Sequence, residues 1–127
     1  MKLCKCDICG KVVAMVSDMP VETVCCGQAM RELVPNTEDG AKEKHVPVCK
    51  TENGMVTVTV GSTAHPMDKD HYIEWIAIET EHGNQCHELK PGDRPQAQFA
   101  LVPYDKVRNV YEYCSVHGLW KSACAAR

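Results

Sequence analysis

The sequence lacks both a long apolar run and a basic block. Its longest uninterrupted apolar run covers residues 12–16, far short of a membrane span or a signal-peptide core. We therefore expect a cytoplasmic protein with no membrane partner. Lysine and arginine number 14 against 17 acidic residues, for a net charge of -3, and basic and aromatic residues do not interleave. A nucleic-acid partner is not expected.

A long helical period, an internal repeat and a low-complexity tract are also missing. The 44% hydrophobic and 24% charged residues are typical of a soluble globular protein. A chain of 127 residues holds one ordinary domain, or a modest domain with a small module that needs a cross-link.

Cysteine, in contrast, is abundant, with nine residues. Five of them crowd the first 26 positions, whereas the six histidines all come later. In a reducing cytosol such thiols are more often metal ligands than disulfides. Two chemistries in two regions are therefore predicted.

Short segments with turn signals between them predict an all-β fold after residue 40. Val56, Val58 and Val60 alternate with threonines, which indicates a strand with one buried face, and Asn53-Gly54 before it is a typical turn. A small β-sandwich is the simplest closed arrangement. The predicted strands are Met55–Gly61, Tyr72–Glu79, Gln96–Val102 and Val110–Cys114.

The first region is predicted to form a hairpin. Two apolar pieces, residues 12–16 and 21–24, flank Ser17-Asp18-Met19-Pro20. A piece of this size does not fold without a cross-link. The polar stretch of residues 35–40 is predicted to be the linker to the rest of the chain.

Four cysteines in the first region have the spacing of a metal site. Cys6-x-x-Cys9 is followed by Gly10, and Cys25 and Cys26 are adjacent. Four thiolates suit a tetrahedral zinc or iron ion, and spacing alone leaves both open. Zinc ribbons use a Cys-x-x-Cys pair at each end, so the adjacent pair predicts a distorted site and favours iron. Cys4 is too close to Cys6 to share a knuckle and is interpreted as an extra thiol.

Histidines and one cysteine recur in three later motifs, of which each is expected at a loop or strand end. These motifs are Glu43–Pro47, His65-Pro66-Met67 leading to His71, and Cys114–Gly118. A lone histidine is usually an ordinary residue, but three motifs together indicate a site. Four imidazoles and a thiolate leave one open position on an octahedral ion, which suits iron better than zinc.

The remaining candidates are assigned no chemistry. His82 and His87 are predicted to lie at the surface around a polar turn, and Trp75 and Trp120 are predicted to pack in the core or line the site. Cys49, Cys86 and Cys124 have no partner at ligand spacing and are interpreted as buried or incidental thiols.

Taken together, the motifs resemble those of the desulfoferrodoxin family, the two-iron superoxide reductases, over nearly the whole chain. The matching segments are Cys6-x-x-Cys9-Gly10, Cys25-Cys26-Gly27, Glu43-Lys44-His45-Val46-Pro47, His65-Pro66-Met67, His71-Tyr72-Ile73-Glu74-Trp75 and Cys114-x-x-His117-Gly118-x-Trp120.

The resemblance implies a small desulforedoxin- or rubredoxin-like domain at residues 1–36, followed by an immunoglobulin-like catalytic β-sandwich at residues 37–127, in a homodimer. It also implies two iron ions per chain. One is held by Cys6, Cys9, Cys25 and Cys26, and the other by His45, His65, His71 and His117 in a plane with Cys114 axial.

The implied activity is the one-electron reduction of superoxide to hydrogen peroxide, for oxygen detoxification, with a small electron-donor protein such as rubredoxin. Superoxide is an anion, so Lys44 is predicted to guide it against the net negative charge and to order a water that delivers a proton. Glu43 is predicted to take the open position when the metal is oxidised.

Two alternatives from other classes stay open at this point. One is a non-catalytic iron electron carrier, and the other is a zinc protein throughout. The chain also departs from the family pattern at Ser115, where asparagine is expected, which puts the tuning of the Cys114 sulfur in question.

Overall fold

We describe the chain from a computed structural model that covers residues 1–38 and 40–124. It divides into two compact units, Met1–Val34 and Pro35–Arg127. The predicted domain boundary lies slightly further along, after residue 36. Asp39 of the predicted linker and residues 125–127 of the predicted second domain lie outside the described residues.

The first unit consists of five very short strands. A three-stranded antiparallel sheet has the order β2-β1-β5, and β3 pairs with β4. The strands are β1 Leu3–Lys5, β2 Val12–Ala14, β3 Val24–Cys25, β4 Gln28–Ala29 and β5 Arg31–Glu32.

The predicted hairpin between residues 12–16 and 21–24 is wrong. Strand β2 pairs with β1, and β3 pairs with β4, so the two apolar pieces are not partners. The reversals of the chain lie at the cysteine motifs instead, because residues 6–11 connect β1 to β2 and Cys26-Gly27 connects β3 to β4. The turns that form the hairpins are thus the turns that present the cysteines.

The second unit is an antiparallel, immunoglobulin-like sandwich, so the predicted all-β class is confirmed. Its sheets have the orders β10-β7-β6 and β12-β11-β8-β9. The only helix in the described part of the chain is α1, Lys42–His45, and no helix there is long and apolar enough to span a membrane. The strands are β6 Pro47–Glu52, β7 Met55–Val60, β8 Ile73–Thr80, β9 Asn84–Glu88, β10 Gln96–Ala100, β11 Val107–Cys114 and β12 Gly118–Ala123.

The core lies between the two sheets and follows the predicted alternation. Val56, Val58 and Val60 of β7 are fully buried, together with Ile76 and Val110 from the opposite sheet. The turn at Asn53-Gly54 also forms as predicted, since both residues have positive φ, at 50° and 75°. Such a turn matches the twist of the β6–β7 hairpin.

All four predicted strands exist, and no boundary differs from the prediction by more than three residues. Three strands that carry little apolar alternation were not predicted: β6, β9 and β12. The residues of β9 are all exposed, and β9 is an edge strand of the four-stranded sheet. His87 therefore lies on an edge strand rather than in the predicted polar turn.

A bulge in the four-stranded sheet sets the position of Cys114. The register of β11 against β8 shifts between Tyr113, opposite Trp75, and Cys114, opposite Ile73, which leaves Glu74 as the extra residue. Bulges bend a strand and re-aim its side chains. Cys114 at the end of β11 is fully buried and contributes to the core cluster.

Candidate metal centres

The first cysteine pair of the first unit lies on a tight knuckle. The backbone N–H of Cys9 donates to Cys6 Sγ at 3.4 Å, and the N–H of Gly10 donates to the Cys6 carbonyl at 2.9 Å. Gly10 has a φ of 82°, in the left-handed region that glycine adopts without strain. This explains why the knuckle ends on a glycine.

The second pair meets through the turn that joins β3 to β4. Cys26 and Gly27 both have positive φ, 53° and 79°, as a two-residue type I′ turn requires. In this conformation the adjacent sulfurs of Cys25 and Cys26 approach to 3.9 Å instead of diverging, and Cys25 Sγ lies 3.7 Å from Cys9 Sγ. All four sulfurs lie within 4.8 Å of one another.

Four thiols so close together do not ionise independently. The pKa of Cys6 is lowered to about 6, chiefly because the backbone N–H of Cys9 donates a hydrogen bond to its sulfur. Hydrogen bonds with Cys9 and then Cys6 raise the pKa of Cys26 to about 12. A cation at the centre removes this conflict, since it accepts four thiolates. Among the described residues this group contains Cys6 and not Cys4, which lies buried in β1.

The second group draws its five side chains from four separate places in the second unit. His45 ends α1, His65 and His71 lie in the connection from β7 to β8, Cys114 ends β11, and His117 precedes β12. His45, His65 and Cys114 are almost completely buried. Only His45 departs from the expectation of a loop or strand end, because it lies on a short helix.

The donor atoms of these side chains converge on one point. His45 Nε2 lies 3.1 Å from His65 Nε2 and 3.0 Å from His117 Nδ1. Cys114 Sγ lies 3.4 Å from His65 Nε2 and 3.8 Å from His117 Nδ1. The ligand atoms of His45, His65, His71 and Cys114 lie within 4.8 Å of one another.

Backbone carbonyls fix the orientation of two of the imidazoles. His45 Nδ1 donates to the Ala41 carbonyl at 2.7 Å, and His65 Nδ1 donates to the Pro66 carbonyl at 2.6 Å. With the proton held on Nδ1, each Nε2 carries a lone pair. Two lone pairs 3.1 Å apart repel each other unless a proton or a cation lies between them.

A metal ion fits this arrangement on two further observations. His71 Nε2 is buried and has no hydrogen-bond partner among the described residues, a state that is costly without a ligand. Burial also lowers the pKa of His45, of His71 and, to about 4, of His65. The lower pKa values favour the neutral form of these three imidazoles, which is the form that binds a metal.

The Cys114 thiol is shaped by burial and by the turn that follows it. Burial raises its pKa, and the backbone N–H groups of His117 and Val116, hydrogen-bonded to the sulfur, lower it to a smaller extent. Ser115 instead exchanges hydrogen bonds with Tyr72, whose N–H donates to the Ser115 hydroxyl at 3.1 Å. Residue 115 therefore ties the Cys114 loop to the residue after His71, and the backbone N–H groups of Val116 and His117 act on the sulfur.

Trp120 lines the site as predicted. Its ring stacks on His45 at 5.0 Å, and its indole N–H donates to the His117 carbonyl at 3.1 Å. Gly40 lies directly against both rings, because a Cβ there would come within 3.1 Å of His45 and 3.2 Å of Trp120. Trp75, the other tryptophan, stacks on Tyr113 at 5.7 Å.

Glu43 and Lys44 lie on α1, immediately before His45, and both are exposed. The helix is anchored by the Glu43 carbonyl, which accepts the Thr63 N–H at 2.8 Å and the Ser62 hydroxyl at 3.2 Å. Gly61 permits this approach, since a Cβ there would lie 2.7 Å from that carbonyl. Burial has the largest effect on the pKa of His71, followed by the charges of His117 and Asp68. The positive charge of Lys44 has a smaller effect and also lowers this pKa.

Two features of the second unit were missed by sequence reasoning. Cys49 and Cys124, which were assigned no partner, form a disulfide; their separation of 75 residues gives no sequence signal, and the expectation of reduced thiols argued against it. Glu112 is fully buried and neither carboxylate oxygen has a partner among the described residues.

The other histidines and Cys86 lie away from both groups. His82 is exposed beside Asp105, with Nδ1 3.2 Å from its carboxylate. His87 and Cys86 are exposed on β9. The prediction that His82 and His87 lie at the surface is confirmed.

Comparisons with known proteins agree with this geometry. A family model of desulfoferrodoxins matches residues 37–123. The chain is 45% identical over 122 residues to a desulfoferrodoxin homolog of Archaeoglobus fulgidus, covering 96% of each chain, and 48% identical over 119 residues to the desulfoferrodoxin of Nitratidesulfovibrio vulgaris, covering 93% of this chain and 92% of the relative. The fold is similar to that of a superoxide reductase from Treponema pallidum, with a TM-score of 0.81, 36% identity and coverage of 94% and 98% of the two chains. The chain therefore belongs to the desulfoferrodoxin family, and its two ligand groups match the two iron sites of that family.

Proposed function

We propose that this protein is a superoxide reductase, in which His45, His65, His71, His117 and Cys114 hold the catalytic iron. The observation that carries the proposal is the convergence of five donor atoms in a buried place, with a His71 nitrogen left without a partner among the described residues. Solved structures with a similar fold are named superoxide reductases, among them one from Giardia intestinalis.

The reaction requires one electron and two protons for each superoxide and yields one hydrogen peroxide. The five donors would hold an iron ion, which would supply the electron and would take a small molecule as a further ligand. Other residues of the chain fix the positions of the donor atoms. Backbone carbonyls at Ala41 and Pro66 orient two imidazoles, and the stacked Trp120 covers one side of His45 and excludes water there.

Lys44 and Glu43 control the approach of the anion in this proposal. The chain carries a net charge of -3, which repels superoxide, so a local cation beside the site is needed to attract it. Lys44 is exposed, and its charge acts on His71. It is therefore suited to attract superoxide and to hold a water that delivers a proton. The Glu43 carboxylate, one residue earlier, competes with anions for the same face.

The first unit, in the same proposal, is a four-cysteine iron domain that passes electrons. Cys9 and Cys26 are exposed while Cys6 is buried, so a donor protein reaches ligand sulfurs without an intervening shell of side chains. A small carrier such as rubredoxin is the proposed donor. The reaction takes place in a cytoplasmic setting, where such carriers occur.

A homodimer completes the proposal. Apolar side chains of the first unit are exposed to an unusual extent: Val16 at 101%, Val21 at 78% and Met19 at 68% of full exposure. A surface of this kind is typical of an interaction site, and the second copy is its proposed occupant. Light scattering on the holoprotein is expected to give the dimer mass, and Val21→Asp is expected to give the monomer mass; a monomeric wild type contradicts this part.

The activity is tested with Cys114→Ser and the matched control Cys86→Ser. Cys86 is exposed on β9 and belongs to neither ligand group. Cys114→Ser is expected to remove the intense visible band of a thiolate bound to oxidised iron and to reduce superoxide consumption to background, because the hydroxyl is a far weaker donor. Cys86→Ser is expected to retain both. If Cys114→Ser consumes superoxide at the wild-type rate, the proposed site is wrong.

A further inference from the structure

The disulfide between Cys49 and Cys124 joins the two sheets of the sandwich. Cys49 is the third residue of β6 and Cys124 follows the end of β12, with Cα atoms 5.4 Å apart. Strand β6 is an edge of the three-stranded sheet, and β12 is an edge of the four-stranded sheet. The bond therefore closes one open side of the sandwich.

The two edge strands lie side by side and run in the same direction. The Ser122 hydroxyl donates to the Pro47 carbonyl, and two residues further on in each strand Cys124 is bonded to Cys49. The strands belong to different sheets, so no backbone ladder holds them together. Among the described residues, the side-chain ties along this edge include the Ser122 hydrogen bond, the Thr51 hydroxyl 3.7 Å from Cys124 Sγ, and the disulfide.

Each of these strands begins at the catalytic ligand group. His45 lies two residues before Pro47, the first residue of β6, and His117 lies directly before Gly118, the first residue of β12. A change in the spacing between the strands should therefore change the distance between the two imidazoles. The His45 Nε2 and His117 Nδ1 atoms lie 3.0 Å apart.

The disulfide is also reachable from solvent. Cys124 lines an open pocket of about 590 Å³ together with Thr51, Leu101, Lys106 and Val107, and both cysteines are only partly buried. Exchange with an external thiol needs access to a sulfur and is helped by a nearby cation that favours the attacking thiolate. The pocket gives this access, and Lys106 supplies a cation in its wall, next to the carboxylate of Asp105.

We propose that Cys49 and Cys124 are a reversible redox pair whose disulfide clamps β6 to β12 and thereby holds His45 and His117 in place. The oxidant is hydrogen peroxide, and in this respect the inference rests on the proposed function, of which peroxide is the product. Two thiols and one hydrogen peroxide give the disulfide and two waters, as each sulfur loses one electron and the O–O bond breaks.

A dithiol reductant reverses the step. One of its thiolates attacks Cys124 Sγ through the pocket and releases Cys49 as a thiol; its second thiol then displaces Cys124 and leaves the reductant as a disulfide. The pair thus tightens the catalytic group while peroxide accumulates and loosens it when dithiols prevail.

The test compares reduced and oxidised holoprotein of the wild type, Cys49→Ser and Cys86→Ser. Each sample is treated with dithiothreitol, desalted, and divided into portions that receive nothing, one equivalent of hydrogen peroxide, or diamide as a thiol oxidant independent of the proposed function. Alkylation with peptide mapping identifies free thiols, and melting temperature and metal transfer to a chelator are measured on the same portions.

In the wild type and Cys86→Ser, we expect peroxide or diamide to protect Cys49 and Cys124 from alkylation. Oxidation is expected to raise the melting temperature by about ten degrees or more, because the closed loop is long, and to slow metal transfer several-fold. Cys49→Ser is expected to stay at the reduced values whatever the treatment.

Three results each overturn a part of the proposal. The redox pair is wrong if both cysteines stay open to alkylation after both oxidants, and the clamp is wrong if the metal transfers equally fast from both states. If diamide forms the bond and peroxide does not, the proposed oxidant is wrong. Superoxide consumption is recorded separately: its absence in samples that show the full thermal and metal response contradicts the proposed function and leaves the clamp standing.

Discussion

The four cysteines of the first unit come from two turns within residues 6–26, whereas the ligand group of the second unit gathers residues from position 45 to position 117. The first group is anchored to strands of two or three residues and exposes Cys9 and Cys26. The second is anchored to strands of up to eight residues and buries His45, His65 and Cys114. The four-cysteine group is formed by residues close in sequence and is partly exposed, whereas the histidine–cysteine group is formed by residues far apart in sequence and is mostly buried.

This difference separates two ways of making a metal site. A local group needs the ion to hold its own turns in place, because the strands around it bury too little surface. A group held by a packed core keeps its donors in position before the ion arrives, and it therefore permits a coordination position without a protein ligand. The proposed function assigns substrate binding to the second arrangement.

The largest effect is expected from a substitution that disrupts the first ligand group and leaves the second intact. Cys9→Ser is expected to release the ion from the four-cysteine group and to unfold residues 1–34, since a structural ion contributes on the order of 10 kcal/mol to a small module. The iron bound by the second group is expected to remain. Metal analysis and hydrogen exchange measure both outcomes.

Cys4→Ala is the matched control, because Cys4 lies on β1 outside the ligand group. It is expected to retain both ions. Protected amides in residues 1–34 of Cys9→Ser without its ion contradict the view that the ion holds this unit together.

A medium effect comes from Glu112, which shares a face of β11 with Val110 and Cys114. Burial raises its pKa from 4.5 to about 9, so the folded state keeps a proton that the unfolded state loses above pH 4.5. This contribution to stability is complete below about pH 4.5 and is lost as the pH rises toward 9. Between pH 7 and pH 9 the free energy of unfolding should fall by about 2–3 kcal/mol.

Glu112→Gln is expected to remove that slope, and the exposed Glu88→Gln on β9 is expected to keep it. Chemical denaturation of the holoprotein at both pH values measures the difference. A slope in Glu112→Gln equal to that of the wild type shows that another group carries it.

The smallest effect is expected from a substitution of Lys44, which tests whether a cation beside the second group attracts superoxide. Lys44→Ala should lower the second-order rate of superoxide capture by about tenfold at low ionic strength, since a local cation attracts the anion. The difference should shrink as salt is added. Stopped-flow or pulse-radiolysis measurements over a salt series give both numbers.

Lys42→Ala on the same helix is the control for net charge, and Lys44→Arg should restore most of the rate. Equal effects of Lys42→Ala and Lys44→Ala would indicate that overall charge, and not a cation beside the site, sets the capture rate.

Sequence reasoning predicted those parts of the molecule that have a local signal. Alternation identified β7 correctly, because its valines face the core, and Cys-x-x-Cys identified the first knuckle. Strand β9 was missed because all its residues are exposed, and the hairpin in the first unit was wrong because apolar pieces were paired while the turns lay at the cysteines. The disulfide joins residues 75 positions apart, so only the fold reveals it.

For the ligand groups, residue types and family resemblance indicated which side chains belong together, but not how they are held. Two features depend on backbone paths that short motifs do not encode: the carbonyls that orient His45 and His65, and the burial of Glu112 without a partner among the described residues. The Ser115 hydroxyl bond to Tyr72 is of the same kind. At this departure from the family pattern, the Ser115 hydroxyl accepts the Tyr72 N–H, and the backbone N–H groups of Val116 and His117 act on the Cys114 sulfur.

The most direct test of the account is metal content combined with the optical spectrum of the oxidised holoprotein. We expect two iron ions per chain and a spectrum with two components, an all-thiolate one that Cys9→Ser removes and a mixed histidine-thiolate one that Cys114→Ser removes. Azide is expected to shift only the second component. Two zinc ions with no iron, or a single component that neither substitution divides, would contradict the account.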